Sequence, residues 1–255
     1  MAISIRTDLG SSITVFGLNR NLNDTYAALE RLATGKRINH AKDDPAGLVI
    51  SKQLQSQIAS LNQEIENLSA NIGKYQTVSA SVMELRDDLT ELRSLAVGAA
   101  NSAYNDEDVQ AAYATAAESI VNSYNRTIAN AHYNGMPTLD GSEGSLASVT
   151  ELPDIDLSSA EAAVASLEKI DTAASELDQI MIDLGATQRH DLESRRQSLE
   201  VTRQNLQAAE SAITDADYAM EMSRFTAGLI RTQTSLALLG HSFMTHKGTL
   251  SLLSR

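Results

Sequence analysis

Glu30–Ile50 reads ERLATGKRINHAKDDPAGLVI, and it holds a stop signal and a start signal for helices back to back. A helical run ends at Thr34, where Gly35 can take the left-handed conformation that closes a helix. Lys36 and Arg37 follow as cations beside a negative helix end. Asp44-Pro45 then opens the next helix. Asp44 can accept from an orphan N–H, and Pro45 has no N–H to lose in the first turn. The Gly35-Lys36 pair is not a phosphate-binding loop, because Glu30 and Arg37 stand where that motif needs Gly and Ser or Thr.

Outward from this boundary the apolar residues repeat at helical spacing. Before it, Leu9, Ile13, Phe16, Leu22, Tyr26, Leu29 and Ala33 mark one face of a short helix, with Gly10 and Gly17 weakening its first half. Alone it is too short and too polar to be stable, so it needs a partner surface. After the boundary, Leu54, Ile58, Leu61, Ile65, Leu68, Ile72 and Tyr75 form a heptad seam. It resumes at Val78, Val82, Leu85, Leu89, Leu92 and Ala96 after one three-residue slip. At ~1.5 Å per residue this helix is about 75–80 Å long and must lie along other helices.

Asn105-Asp106 reads as a new N-cap, with Val109, Tyr113, Ala116, Ile120, Tyr124, Ile128 and Ala131 on one side of the following helix and Asn134-Gly135 ending it. Met136–Pro153 is loop-like and has room for a small hairpin. Helix returns over 157–214, with Leu167, Ala174, Leu177 and Leu184, then Leu192, Leu199, Leu206 and Ile213. Met222, Phe225, Leu229, Leu236, Leu239 and Phe243 carry the pattern to the C-terminus, where Leu250, Leu252 and Leu253 suit an interaction surface. The expected fold is all-α. It is an elongated antiparallel long-helix bundle whose paired N- and C-terminal helices form coiled coils, with a possible small hairpin near residues 136–153.

Composition narrows the function. The 255 residues carry a net charge of −13, 4% aromatics and no cysteine. Nucleic-acid binding needs clustered Lys and Arg, so it is disfavoured. A thiolate zinc site, a Cys nucleophile and a disulfide framework are excluded. No segment approaches the ~18 apolar residues of a membrane span, and MAISIRTDLG lacks the apolar core of a cleaved signal. Export, if it occurs, is expected by another route. His40, His132, His190, His241 and His246 are scattered, and the pairs Asp43-Asp44, Asp87-Asp88 and Asp215/Asp217 suit caps and solvated faces. Asn125-Arg126-Thr127 matches a glycosylation sequon of low specificity. We expect no catalytic, cofactor or metal site.

Two longer stretches carry a family resemblance. ERLATGKRINHAKDDPAGLVISKQL, from Glu30, and AAESAITDADYAMEMSRFTAGLIRTQTSLALL (Ala208–Leu239) resemble the two terminal signatures of bacterial flagellins. LRSLAVGAANS (Leu92–Ser102) and HYNG (His132–Gly135) also resemble that family, as does the terminal LSLL. The resemblance implies a self-assembling subunit of the extracellular flagellar filament that drives swimming. Its terminal helices would order on polymerisation and line the export channel. The chain would then divide into 1–42 and 215–255 as the inner filament core, 43–140 and 157–214 as a rod-like helical domain, and 141–156 as a short loop replacing variable outer domains. Implied partners are other copies of the chain, an export chaperone, and filament cap and hook-junction proteins, with neither nucleic acid nor membrane insertion.

The residues expected at the polymerisation interface are Leu9, Ile13, Phe16, Leu22, Leu29, Met222, Phe225, Leu229, Leu236, Leu239 and Phe243. GHSFMTHKGT (Gly240–Thr249) departs from the family's Gln-rich C-terminal stretch. Arg93 and Leu95 match a patch read by an innate-immune receptor, but Glu91 replaces its key arginine, so weak recognition is expected. A hook–filament junction protein and a non-polymerising coiled-coil adaptor are the competing readings.

Overall fold

The computed structural model describes residues 9–101, 106–153 and 155–253. Six α-helices make up most of them: α1 (Leu9–Thr34), α2 (Pro45–Ala99), α3 (Glu107–Asn130), α4 (Ala160–Ala186), α5 (Ser194–Thr214) and α6 (Tyr218–Leu253). A π-helical segment, Thr187–Glu193, joins α4 to α5, and a strand pair, β1 (His132–Tyr133) with β2 (Met136–Pro137), follows α3. The chain forms two compact units, one of Met1–Ser60 with Arg203–Arg255 and one of Leu61–Thr202.

In the first unit the opening boundary is built from capping chemistry. Gly35 sits at φ +71° with its N–H on the Arg31 carbonyl at 2.8 Å. Asp44 accepts from the Gly47 N–H at 2.9 Å, and Pro45 is the first residue of α2. Between the two helices the chain is zipped to the α5–α6 link. The Arg37 N–H donates to the Thr214 carbonyl at 2.6 Å, and the Ala216 N–H donates to the Gly35 carbonyl at 2.9 Å. The Arg37 guanidinium adds a bond to the Ile213 carbonyl at 2.6 Å. These bonds satisfy backbone groups that two helix ends would otherwise leave open.

The second unit has the continuous hydrophobic core. Val78, Val82, Leu85, Leu89, Leu92 and Ala96 of α2 are all sealed from solvent. They pack in one cluster with Ala117, Val121, Tyr124 and Ile128 of α3 and with Ala163, Ile170, Ala174, Leu177 and Leu184 of α4. Arg86–Asp178 at 2.9 Å, Arg93–Asp171 at 2.8 Å and Arg195–Glu64 at 2.5 Å set α2 antiparallel to the α4–α5 run. Asp106 caps α3 by accepting from the Val109 N–H, and Ser159 caps α4 by accepting from the Ala162 N–H. The buried line of α3 lies to one side of the expected one, so Val109 is exposed while Ala117 and Val121 are inside. Asn105 lies outside the described residues.

The connection after α3 corrects one expectation. The helix stops at Asn130, and Asn134-Gly135 is the turn of the β1–β2 pair. Asn134 has φ 52° and Gly135 φ 76°, the double positive-φ geometry of a tight hairpin turn. The hairpin therefore begins just ahead of 136–153. Beyond it the backbone still folds on itself, with a bridge between Asp140 and Ser148. Leu139, Val149, Leu152 and Leu157 are buried in the core, so this stretch closes the unit. Asn125 holds it: its side chain donates to the Leu152 carbonyl at 3.3 Å and accepts from the Leu152 N–H at 3.0 Å. That use of both amide ends makes Asn125 a structural clamp.

Candidate assembly surface

Helices α1 and α6 pack together, and most of the residues between them are small or polar, with Leu18, Leu32, Phe225 and Leu239 the large apolar exceptions. Ser11, Thr14, Leu18, Asn21, Thr25, Ala28 and Leu32 of α1 are buried or half-buried, and they recur in steps of three and four. Glu221, Phe225, Gly228, Thr232, Ser235, Leu239 and Ser242 of α6 do the same. Both sets are heptad seams, as in a coiled coil, but built mainly from small and polar side chains. Ser11 and Ser242 share a hydrogen bond at 2.9 Å. Asn21 Nδ2 donates to the Gly228 carbonyl at 2.8 Å and to Thr232 Oγ1 at 2.7 Å. Glu221 Oε1 meets Arg31 at 3.4 Å and Arg224 at 2.7 Å. The partners fall in α6 as they rise in α1, so the pair is antiparallel.

With so much of the seam small or polar, many of the large apolar side chains face out. Phe16 is 74% exposed, Phe243 67% and Leu236 55%. Ile13, Leu29, Met222 and Leu229 are exposed with them, as are Tyr26, Ile230 and Leu238. Leu22 is half-buried, and Phe225 and Leu239 are half-buried on the seam itself. The side chain of Leu9 lies outside the described residues, as do those of Leu250, Leu252 and Leu253. Exposed apolar side chains on this scale make the α1–α6 pair the candidate contact surface.

The remaining candidates resolve into structure. A cavity of about 440 Å³ between α1 and α6 is lined by Asn21, Asp24, Thr25, Arg31, Glu221 and Arg231 among others, and Asn21, Thr25, Arg31 and Glu221 there are engaged in hydrogen bonds or ion pairs within the helix pair. Among the described residues no group of side chains could hold a metal ion, and no helix is long and apolar enough to cross a membrane. The backbone N–H of His40 holds the Asp43 carboxyl below its ordinary range, as the Ser142 and Ser158 side chains do for Asp140 and Asp156. These are turn carboxylates that accept local donors. Burial raises Asp88, and burial lifts the Tyr124 phenol from 10.0 to about 12. Glu91 is exposed, Arg93 is tied to Asp171, and Leu95 packs partly against the core.

Fold and surface together define a long-helix subunit whose two ends pair and turn an apolar face outward. Two family models match: the bacterial flagellin N-terminal helical region over residues 5–144 and the bacterial flagellin C-terminal helical region over residues 167–253. The chain belongs to the bacterial flagellin family. It is 32% identical to a flagellin of Halalkalibacterium halodurans across 91% of this chain and 93% of that one. It is 28% identical to the flagellar filament 30.7 kDa core protein of Treponema maltophilum across 93% and 95%. With Treponema pallidum flagellin FlaB1 the identity is 29% across 88% and 91%.

Proposed function

We propose that this chain is a structural subunit of the bacterial flagellar filament, outside the cell, and that it polymerises through the outward apolar face of α1 and α6. The observation that carries the contact surface is the seam's composition: Phe16, Leu236 and Phe243 stay exposed while serine, threonine, asparagine and glycine take about half of the seam positions between the helices. Full burial of one Leu or Phe contributes roughly 1.5–3 kcal/mol, before the cost of ordering the helices. Several such residues per subunit, repeated between identical copies, suffice to drive assembly. In this reading the terminal helices complete their ordering on polymerisation and surround the export channel. An export chaperone covers α6 beforehand, and cap and hook-junction proteins meet the filament at its ends.

Leu236→Asp tests the reading. After seeding, the parent chain is expected to sediment as long tubes visible by electron microscopy. The variant stays in the supernatant, while its Leu61–Thr202 unit melts as in the parent, and chaperone capture of the chain weakens with it. Normal filaments from the variant would remove this face as the interface.

A further inference from the structure

We infer that Asn21, Thr25, Gly228 and Thr232 form a register lock, which selects one alignment of α1 against α6 and so decides which apolar residues the pair presents. The inference rests on the assembly reading for its consequence, but not for its geometry. At this level the Asn21 amide spends both N–H groups on α6, one on the Gly228 carbonyl and one on Thr232 Oγ1. Thr232 Oγ1 itself donates to the same carbonyl at 2.9 Å, so it can accept from Asn21 only with its hydrogen turned away. Thr25 donates to the Asn21 carbonyl at 2.7 Å, which holds its hydroxyl over Gly228. A Cβ added at Gly228 would run into that hydroxyl.

The result is an all-or-none fit. A slip of one turn places Arg224 or Thr232 where Gly228 sits, and a slip of one heptad places Glu221 or Ser235 there. Each carries a Cβ into space that Thr25 already fills. Gly240, the next glycine along α6, is about three turns further on. A slip of one turn or one heptad also puts Gly228, Leu236, Phe225 or Leu239 where Thr232 sits, so one N–H of the buried Asn21 amide loses its hydroxyl acceptor, and a buried donor without a partner is penalised. A seam made only of serine, threonine and alanine would tolerate many alignments. One buried asparagine at a seam position is a known way to remove that freedom. The Ser11–Ser242 and Arg31–Glu221 contacts agree with the same alignment but lie at its two ends, where fraying is easiest.

The test uses the full chain, which contains no cysteine. Ser11→Cys with Ser242→Cys reports the native alignment, because those side-chain oxygens are 2.9 Å apart. Ser11→Cys with Ser235→Cys reports a slip of one heptad. In the parent, the first pair is expected to form an intrachain disulfide at least tenfold faster than the second. Asn21→Leu keeps the position helical and makes it apolar, and should bring the two rates within about twofold of each other. Gly228→Ala, which adds only the Cβ, should do the same, and Asn23→Ala on the exposed side of α1 should leave the parent ratio intact. An unchanged ratio in both Asn21→Leu and Gly228→Ala would overturn the lock, as would equal rates in the parent. Seeded sedimentation of the same samples is a separate readout. A chain that cross-links in register but never sediments sinks the assembly reading and leaves the lock standing.

Discussion

At the residue scale, Tyr124 shows how the core couples to pH. Its side chain is 1% exposed, and burial raises its phenol from 10.0 to about 12, helped by the nearby charges of Glu176 and Asp88. Burial disfavours the phenolate, so the folded state holds the proton after the unfolded chain has released it. The stabilising contribution is therefore complete below about pH 10 and is lost as pH rises from about 10 to 12. The urea midpoint of unfolding is expected to fall across that window. Tyr124→Phe should remove part of that fall, and an identical pH profile in the variant would show that Tyr124 does not cause it. Tyr124 was legible in the sequence as a seam position, because aromatic and aliphatic residues announce themselves by spacing. The seam of α1 was less legible. Its members Ser11, Thr14, Asn21 and Thr25 are residues that a hydrophobic pattern passes over, so Ile13, Phe16 and Leu29 drew the eye to the opposite face. The signal was present in the steps of three and four, but only for a reader who counts small and polar side chains as knobs.

At the element scale, the π segment Thr187–Glu193 explains an irregularity in the stripe of the last long helical run. Leu177 and Leu184 are seven residues apart, as are Leu192, Leu199, Leu206 and Ile213, but Leu184 to Leu192 is eight. An α-helix that carried the extra residue would rotate the second half of its stripe by about 100°. A π turn absorbs one residue without that rotation. The segment lies across this step, with none of its residues buried. Deleting exposed His190 should let the ladder close as continuous α-helix with the stripe in phase, so helicity by circular dichroism and the melting temperature stay close to the parent. Deleting exposed Gln204, between Leu199 and Leu206, leaves a six-residue step with no π turn to relax it, and a lower melting temperature is expected. Equal melting of the two deletions would show that the π turn is not what accommodates the phase. The eight-residue step could have been read from the sequence, since a stripe that drifts by one residue must be absorbed somewhere. The hairpin at His132–Pro137 was harder, because its strands are two residues each and Asn134-Gly135 suits a helix end as well as a turn.

At the scale of the whole molecule, the chain divides its labour between a unit that holds the continuous apolar core, though it too exposes Met83, Val97, Met136 and Ile182, and one whose largest aromatic side chains stay open. Every residue of the continuous core cluster, from Val78 to Leu184, lies within Leu61–Thr202. That unit is a single uninterrupted stretch of chain, closed by the Asn125–Leu152 clamp and crossed by its own Arg86–Asp178 and Arg93–Asp171 ion pairs. The other unit gathers both ends of the chain, and its helix pair leaves Phe16, Leu236 and Phe243 open. A fragment of residues 61–202 should therefore fold alone, unfold in one cooperative urea transition and sediment as a monomer at concentrations where the seeded full chain polymerises. Its transition should coincide with the one that Leu236→Asp leaves unchanged in the full chain, because no member of the core cluster comes from α1 or α6. Broad, non-cooperative unfolding of the fragment would mean that the terminal helices support the core as well as the contacts between copies. A fragment that polymerised would place an assembly surface on Leu61–Thr202 itself.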